Sequence, residues 1–177
     1  MSSVGQIRIR PALAGDIPEV REMLKEYVRW IGLDLAFQEI DEELAGLPGD
    51  YAPPRGALLL ATAGDLSTVA RSAKADSLVG MIGLRPIDDR ICEMKRLFVR
   101  PEARGRGLAK RLIDNILTEA RRLKYEEIRL DTLPMMGDAQ KLYVAMGFVD
   151  IDAYYDTPIA GTRFMALRLR SGQAKSL

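Results

Sequence analysis

The stretch Arg104-Gly105-Arg106-Gly107-Leu108-Ala109 constrains this chain more than any other. Before it, Glu93-Met94-Lys95-Arg96-Leu97-Phe98-Val99 reads as a strand. After it, Leu108, Leu112, Ile113, Ile116, Leu117, Ala120 and Leu123 recur at helical spacing. A glycine-rich loop therefore joins the end of a strand to the start of a helix. In that arrangement the unpaired N–H groups of the first helical turn and the positive end of the helix dipole converge on one spot. Such a spot binds phosphate.

Three phosphate loops compete for this sequence. A Walker loop requires Gly, four residues, then Gly-Lys-Ser/Thr. Here Gly105 is followed five residues later by Lys110 and then Arg111, so the pattern fails. A dinucleotide fingerprint requires Gly or Ala three residues after its second Gly, and from Gly107 that position is Lys110. The third pattern, Arg/Gln-x-x-Gly-x-Gly/Ala, is filled by Arg104, Gly107 and Ala109. Further on, Asp138–Phe148 reads as a short helix bearing Leu142-Tyr143 and ending in Gly147-Phe148. These two segments resemble the signatures of the GNAT (GCN5-related) N-acetyltransferase superfamily, whose acyl-CoA pyrophosphate loop has the third pattern. The resemblance runs over about residues 6 to 170 and is most specific across 92–112 and 139–148.

Composition agrees with a single domain over residues 1–177, long enough to bury a full core. Its 26 basic and 25 acidic residues leave a net charge of +1, which argues against nucleic acid or an anionic membrane as partner. The sequence has no apolar run of bilayer-spanning length and no signal-peptide core at its N-terminus. One cysteine, Cys92, suits a reducing cytoplasm, the expected location. Histidine is absent, so any acid or base must be Glu, Asp, Tyr, Lys or Cys92.

The chain reads as strands at Gln6–Arg10, Gly56–Ala63, Leu78–Leu84, Ile91–Val99, Ile128–Leu133, Phe148–Tyr155 and Arg163–Leu169. Helices are expected from Asp16 to Ile31, Phe37 to Leu47, Gly107 to Lys124 and Asp138 to Met146. Residues 64–77 form a polar connection, and 171–177 a polar tail. This order predicts an α/β (α+β) fold, a mixed, mostly antiparallel seven-stranded sheet with helices on both faces. It is also the order of the GNAT fold.

The resemblance implies acetyl-CoA as co-substrate and a set of site residues. The backbone of Arg104, Gly105, Arg106, Gly107, Leu108 and Ala109 would cradle the pyrophosphate. The side chains of Arg104 and Arg106 either add charge there or are simply solvated. The main chain of Leu97, Phe98 and Val99 would pair with pantetheine. Strand alternation puts Glu93 on the face of Leu97 and Val99, as a general base or as the partner of Lys95 in a structural ion pair. Apolar neighbours would raise its pKa. Tyr143 is the candidate acid for the departing thiolate, or else a packed aromatic. Met136 stands where many relatives carry an Asn that bonds the cofactor. Cys92 reads as a small buried hydrophobe rather than a nucleophile.

The acceptor pocket is expected between the first two helices and the last hairpin. Tyr27, Trp30, Phe37, Tyr51, Tyr154 and Tyr155 are available to line it. Glu39, Asp41, Glu42 and Glu43 read as a solvated helix face, or else as an attractor for a cationic amine. The acceptor class is a small-molecule or peptide amine, and a homodimer is a family expectation. The alternative function is a non-catalytic acyl-CoA-binding or sensor domain on the same fold.

Overall fold

The computed structural model describes residues 6–34, 39–64 and 77–169. Phe37, most of the 64–77 connection and the 171–177 tail lie outside the described residues. The first strand, β1 (Ile7–Pro11), leads into α1 (Ile17–Ile31). The Asp16 carboxylate fixes this entry. It accepts the Leu13 N–H at 2.7 Å and pairs with Arg10 at 2.6 Å. Pro18 sits in the first turn, where its missing N–H costs nothing. Val20, Met23, Leu24, Tyr27 and Ile31 form one buried stripe. The second helix, α2, runs Ile40–Gly46. Strands β2 (Ala57–Ala63), β3 (Ser77–Pro86) and β4 (Ile91–Val99) follow, then α3 (Leu108–Arg122), β5 (Glu127–Thr132) and α4 (Gly137–Ala145). The last strands are β6 (Val149–Ile151) and β7 (Arg163–Arg168).

All seven strands form one sheet in the order β1-β2-β3-β4-β5-β7-β6. Each neighbouring pair is antiparallel except β4 and β5, which run parallel. The fold is thus the expected mixed, mostly antiparallel α/β sheet. One face buries α3 and Tyr143 of α4 against Leu59, Ile82, Met94, Ile128 and Met165. The other buries α1 and Ile40 of α2 against Leu58, Leu60, Met81 and Phe98.

Two features of the sheet position the site. First, β4 and β5 pair only from Ile91/Glu127 to Glu93/Arg129, although both strands run on. The sheet therefore forks beyond Glu93. Second, β4 carries a bulge. Its register against β3 slips between Met81 and Gly83, and Arg96 takes a left-handed φ of 59°. An inserted residue reverses the alternation downstream. Cys92 and Met94 face the α3 side before the bulge, and Leu97 and Val99 face it afterwards. Glu93 therefore does not share a face with Leu97 and Val99, contrary to simple alternation. It shares the α1/α2 face with Phe98.

The other departure is β6, which ends at Ile151 rather than reaching Tyr155. Tyr154 and Tyr155 leave the sheet and stack edge-on against Phe164, with ring centroids 5.2 and 5.1 Å away.

Candidate active site

The loop after β4 has the geometry its sequence predicts. Gly107 is the N-terminal cap of α3 at φ 68°, and Gly105 has φ 75°. Both are left-handed conformations that glycine adopts without strain. A Cβ at either position would meet nothing within 4 Å, so the backbone borders open space. No side chain caps α3, and its first turn carries no acid. Arg111 N–H bonds Gly107 C=O at 3.1 Å, which leaves the N–H groups just upstream turned outward. Small residues, outward amides and a helix dipole fit a pyrophosphate. Arg104 does not aim its side chain there. Its Nε donates to Val99 C=O at 2.9 Å, and its guanidinium lies 4.9 Å from the Trp30 ring centroid and 5.8 Å from that of Phe98. Trp30 is thus an Arg104 platform. Arg106 is exposed.

The fork between β4 and β5 opens a cleft of about 40 Å³, lined by Tyr27, Met94, Lys95, Arg96, Leu97, Leu130, Asp131, Met136 and Tyr143. Tyr143 is the residue of α4 that is buried, and its ring packs at 5.8 Å from Phe148. Its hydroxyl makes no hydrogen bond among the described residues. Burial, reinforced by Tyr27 and Asp131, pushes its pKa above that of an ordinary phenol. Tyr143 therefore keeps its proton at neutral pH and holds it in the cleft.

Glu93 lies at the apex of the fork with only 4% of its side chain exposed. Its neighbours are charged and polar, not apolar. Arg85 Nε donates to Oε2 at 2.8 Å, and the Tyr154 hydroxyl donates to Oε1 at 2.7 Å. Lys95 stands 3.7 Å from Oε1 but is closer to Asp131, at 2.7 Å. The expected Glu93–Lys95 pair is thus the weaker half of a four-charge cluster, in which Arg85 is the main partner of Glu93. Burial and the Glu93 charge together push the Tyr154 phenol well up.

A cavity of about 390 Å³ opens onto this cluster, lined by Glu39, Asp50, Arg85, Pro86, Ile87, Glu93, Lys95, Tyr154 and Tyr155. Lys95 lines both the cavity and the fork cleft, so the two hollows adjoin there. A second hollow of about 210 Å³ next to it holds Glu42, Glu43 and Tyr51.

Of the α2 carboxylates, Asp41 and Glu42 are exposed as expected, but Glu43 is not on a solvated face. It clasps the buried Arg96 at 2.8 Å and accepts the Tyr51 hydroxyl at 2.9 Å. The Tyr51 ring lies flat on Gly83, where a Cβ would meet it at 2.6 Å. Of the expected pocket aromatics, Tyr154 and Tyr155 line the cavity at Glu93, Tyr51 the second hollow and Tyr27 the cleft. Cys92 is fully buried with its thiol directed at Glu127 C=O, and burial pushes its pKa up to about 12. A thiol so protonated is no nucleophile at neutral pH.

Sequence reading passed over Arg85, Asp131 and the Arg96–Glu43 pair. A signal existed for Arg85, which stands directly opposite Glu93 across the β3–β4 hairpin, an opposite-charge cross-strand pair. Asp131 alternates out of phase with Ile128 and Leu130 and so points to the same side as Glu93 and Lys95.

The chain is similar to known proteins. The family model described as the acetyltransferase (GNAT) family matches residues 20–148. An uncharacterized N-acetyltransferase of Schizosaccharomyces pombe is 35% identical over 158 residues, covering 89% of this chain and 91% of that protein. A GNAT-family acetyltransferase from Staphylococcus aureus Mu50 superposes with a TM-score of 0.72 at 21% identity, over 93% of this chain and 100% of that one. A GNAT-family acetyltransferase from Elizabethkingia anophelis, solved with acetyl-CoA bound, superposes with a TM-score of 0.62 at 21% identity, over 92% and 98%. At that identity the solved structures establish the shared fold. The family match and the S. pombe relative establish more: this chain belongs to the GNAT acetyltransferase family.

Proposed function

We propose that this chain is an acyl-CoA-dependent N-acyltransferase that moves an acetyl group from acetyl-CoA to a primary amine by direct attack in a ternary complex. One observation carries the reading. The fork of β4 and β5 opens a cleft that meets a polar cavity holding Glu93 at Lys95, and β4 runs on from there into the loop that ends at the uncapped N-terminus of α3. A cofactor and an acceptor can therefore approach the same point from separate hollows.

The residues divide the work as follows. The amides of Gly105 to Ala109 hold the pyrophosphate, and the main chain of Leu97 to Val99, which β5 does not pair, lines up with the pantetheine amides. The acceptor enters the cavity and its nitrogen attacks the thioester carbonyl carbon. The new C–N bond forms as the C–S bond breaks. The proton lost by nitrogen goes to Glu93, directly or through the Tyr154 hydroxyl that already bonds it. The Tyr143 phenol gives its proton to the departing sulfur and recovers one from solvent. Acetyl is the acyl group because the family and the acetyl-CoA-bound relative suggest it. The buried Cys92 thiol and the lack of any described helix long and apolar enough to cross a membrane fit a cytoplasmic location.

The second reading, a non-catalytic acyl-CoA-binding domain, draws on the engagement of Glu93 by Arg85 and Tyr154. Initial rates of CoA release, measured against acetyl-CoA and amine together, separate these accounts. A ternary complex predicts intersecting double-reciprocal lines. Parallel lines would mean an acyl-enzyme intermediate and contradict direct attack, and cofactor binding without any CoA release would favour the second reading.

A further inference from the structure

We propose that the acceptor is an α-amino acid with a free carboxylate beside its amine, and that Arg85 reads that carboxylate. The inference rests on the acyl transfer proposed above.

The cavity of about 390 Å³ is ringed by charges. Four of them are matched: Arg85 and Lys95 against Glu93 and Asp131. Lys95 is held on both sides by carboxylates and is almost fully buried. Arg85 is engaged differently. Only its Nε meets Glu93, and its two terminal nitrogens bond nothing among the described residues. Its side chain is 32% exposed and lines both the 390 Å³ and the 210 Å³ hollows. A guanidinium with one edge anchored in protein and its remaining donors facing a cavity is a fork shaped for a carboxylate.

The cavity rim supplies the complement. Glu39 and Asp50 are exposed and make no ion pair among the described residues. They favour entry of an ammonium group. A ligand with one positive and one negative group satisfies both features. A simple amine leaves the Arg85 fork unmatched, and a diamine sets a second ammonium against it.

Distance then narrows the class. Arg85 Nε and Glu93 Oε2 are 2.8 Å apart. A ligand whose nitrogen delivers its proton to Glu93 while its carboxylate meets the adjoining Arg85 guanidinium needs the two groups close together, as an α-amino acid carries them on one carbon. Pro86, Ile87 and the Tyr155 ring form the less polar wall, and Ile87 is 41% exposed. They suit an apolar side chain, and a cavity of this volume suits a small one.

The test compares acceptors on the unaltered protein first. Acetyl-CoA is supplied with L-leucine, L-leucinamide, isoamylamine (leucine without its carboxylate) and 1,4-diaminobutane, and kcat/KM for CoA release is measured. Leucine should exceed its amide and the decarboxylated amine by about ten- to a hundredfold, the usual worth of a charge-assisted hydrogen bond. The same panel on Arg85→Gln and Arg85→Lys then assigns the preference. Arg85→Gln should erase the ratio of acid to amide. Arg85→Lys, which keeps a cation beside Glu93 and so preserves the fold, should retain part of it, chiefly through KM. Amide, amine or diamine turned over as fast as leucine would overturn the inference while leaving acyl transfer intact. An acid preference unchanged in both variants would also overturn it. CoA release with no acceptor at all would overturn the inference and the acyl transfer together.

Discussion

In the proposed reaction Tyr143 and Glu93 serve opposite ends of the chemistry, and they differ in how the protein holds them. The Tyr143 hydroxyl has no protein partner among the described residues, so Tyr143→Phe removes no structural hydrogen bond. Its stability should stay within about 0.5 kcal/mol of wild type. Its kcat should fall about a hundredfold, with acetyl-CoA affinity nearly unchanged, because the proton is needed only as the C–S bond breaks. Single-turnover rates alongside calorimetry check both halves. Glu93→Gln should behave otherwise. The change removes the carboxylate that pairs Arg85 and leaves Asp131 to pair Lys95, so chemical denaturation should show a loss of about 3 kcal/mol. Turnover should fall most near neutral pH and recover partly as pH rises and the amine loses its proton unaided. A wild-type pH–rate profile would make Glu93 structural. The sequence makes these two positions and the Glu93–Lys95 pair legible, but not the partners on other strands. Arg85 and Asp131 reach Glu93 and Lys95 from neighbouring strands, and a partner set by cross-strand register is visible only once the register is known.

At the scale of elements, α2 is tied to the β4 bulge by charge. Glu43 on α2 clasps Arg96 at the bulge. Burial alone would raise the Glu43 pKa, but the Arg96 guanidinium outweighs it and holds the carboxyl below its usual 4.5. Burial likewise opposes Asp131, and Lys95 outweighs it, to a value below 3.8. Groups with depressed folded pKa values stabilise the fold above their unfolded values and lose that contribution as pH falls through the folded ones. Stability should therefore be flat across neutral pH and decline below about pH 4.5. Glu43→Gln should lower the plateau by about 3 kcal/mol, since the buried Arg96 loses the Glu43 carboxylate, and should flatten the acid decline. Urea midpoints across pH measure both. The N-terminus of α3 offers a cleaner comparison. Asn and Asp tolerate the left-handed backbone of Gly107 about equally and differ in charge. Gly107→Asp should weaken acetyl-CoA binding at least about tenfold more than Gly107→Asn, the effect of one anion facing another near a helix N-terminus. Equal affinities by calorimetry would remove the pyrophosphate from this loop. The existence and type of the described elements were legible because apolar spacing is dense and repeated. The bulge was not, because one inserted residue changes neither composition nor strand length yet turns Leu97 and Val99 away from Glu93. Nor was the early end of β6, where Tyr154 and Tyr155 gain more from packing on Phe164 than from extending the sheet.

For the whole molecule, the cofactor side and the acceptor side were unequally readable. The strand and loop proposed for pantetheine and pyrophosphate lie on contiguous sequence, from Leu97 through Ala109, so local patterning displays them. The acceptor cavity gathers Glu39, Asp50, Arg85 to Ile87, Glu93, Lys95, Tyr154 and Tyr155 from separate segments. No local pattern brings them together, and only the sheet order does. That same order sets the fork of β4 and β5 beside this cavity, and the proposed acyl transfer takes place where the two adjoin. The direct measurement follows the acyl group itself. The protein is incubated with acetyl-CoA labelled in its acetyl carbons and an acceptor panel of amino acids, polyamines and peptides, and the products are read by mass spectrometry. The account predicts a labelled acetyl group on the nitrogen of at least one acceptor, formed in step with free CoA and abolished when the protein is omitted. Saturable acetyl-CoA binding with no labelled amide on any acceptor would contradict it.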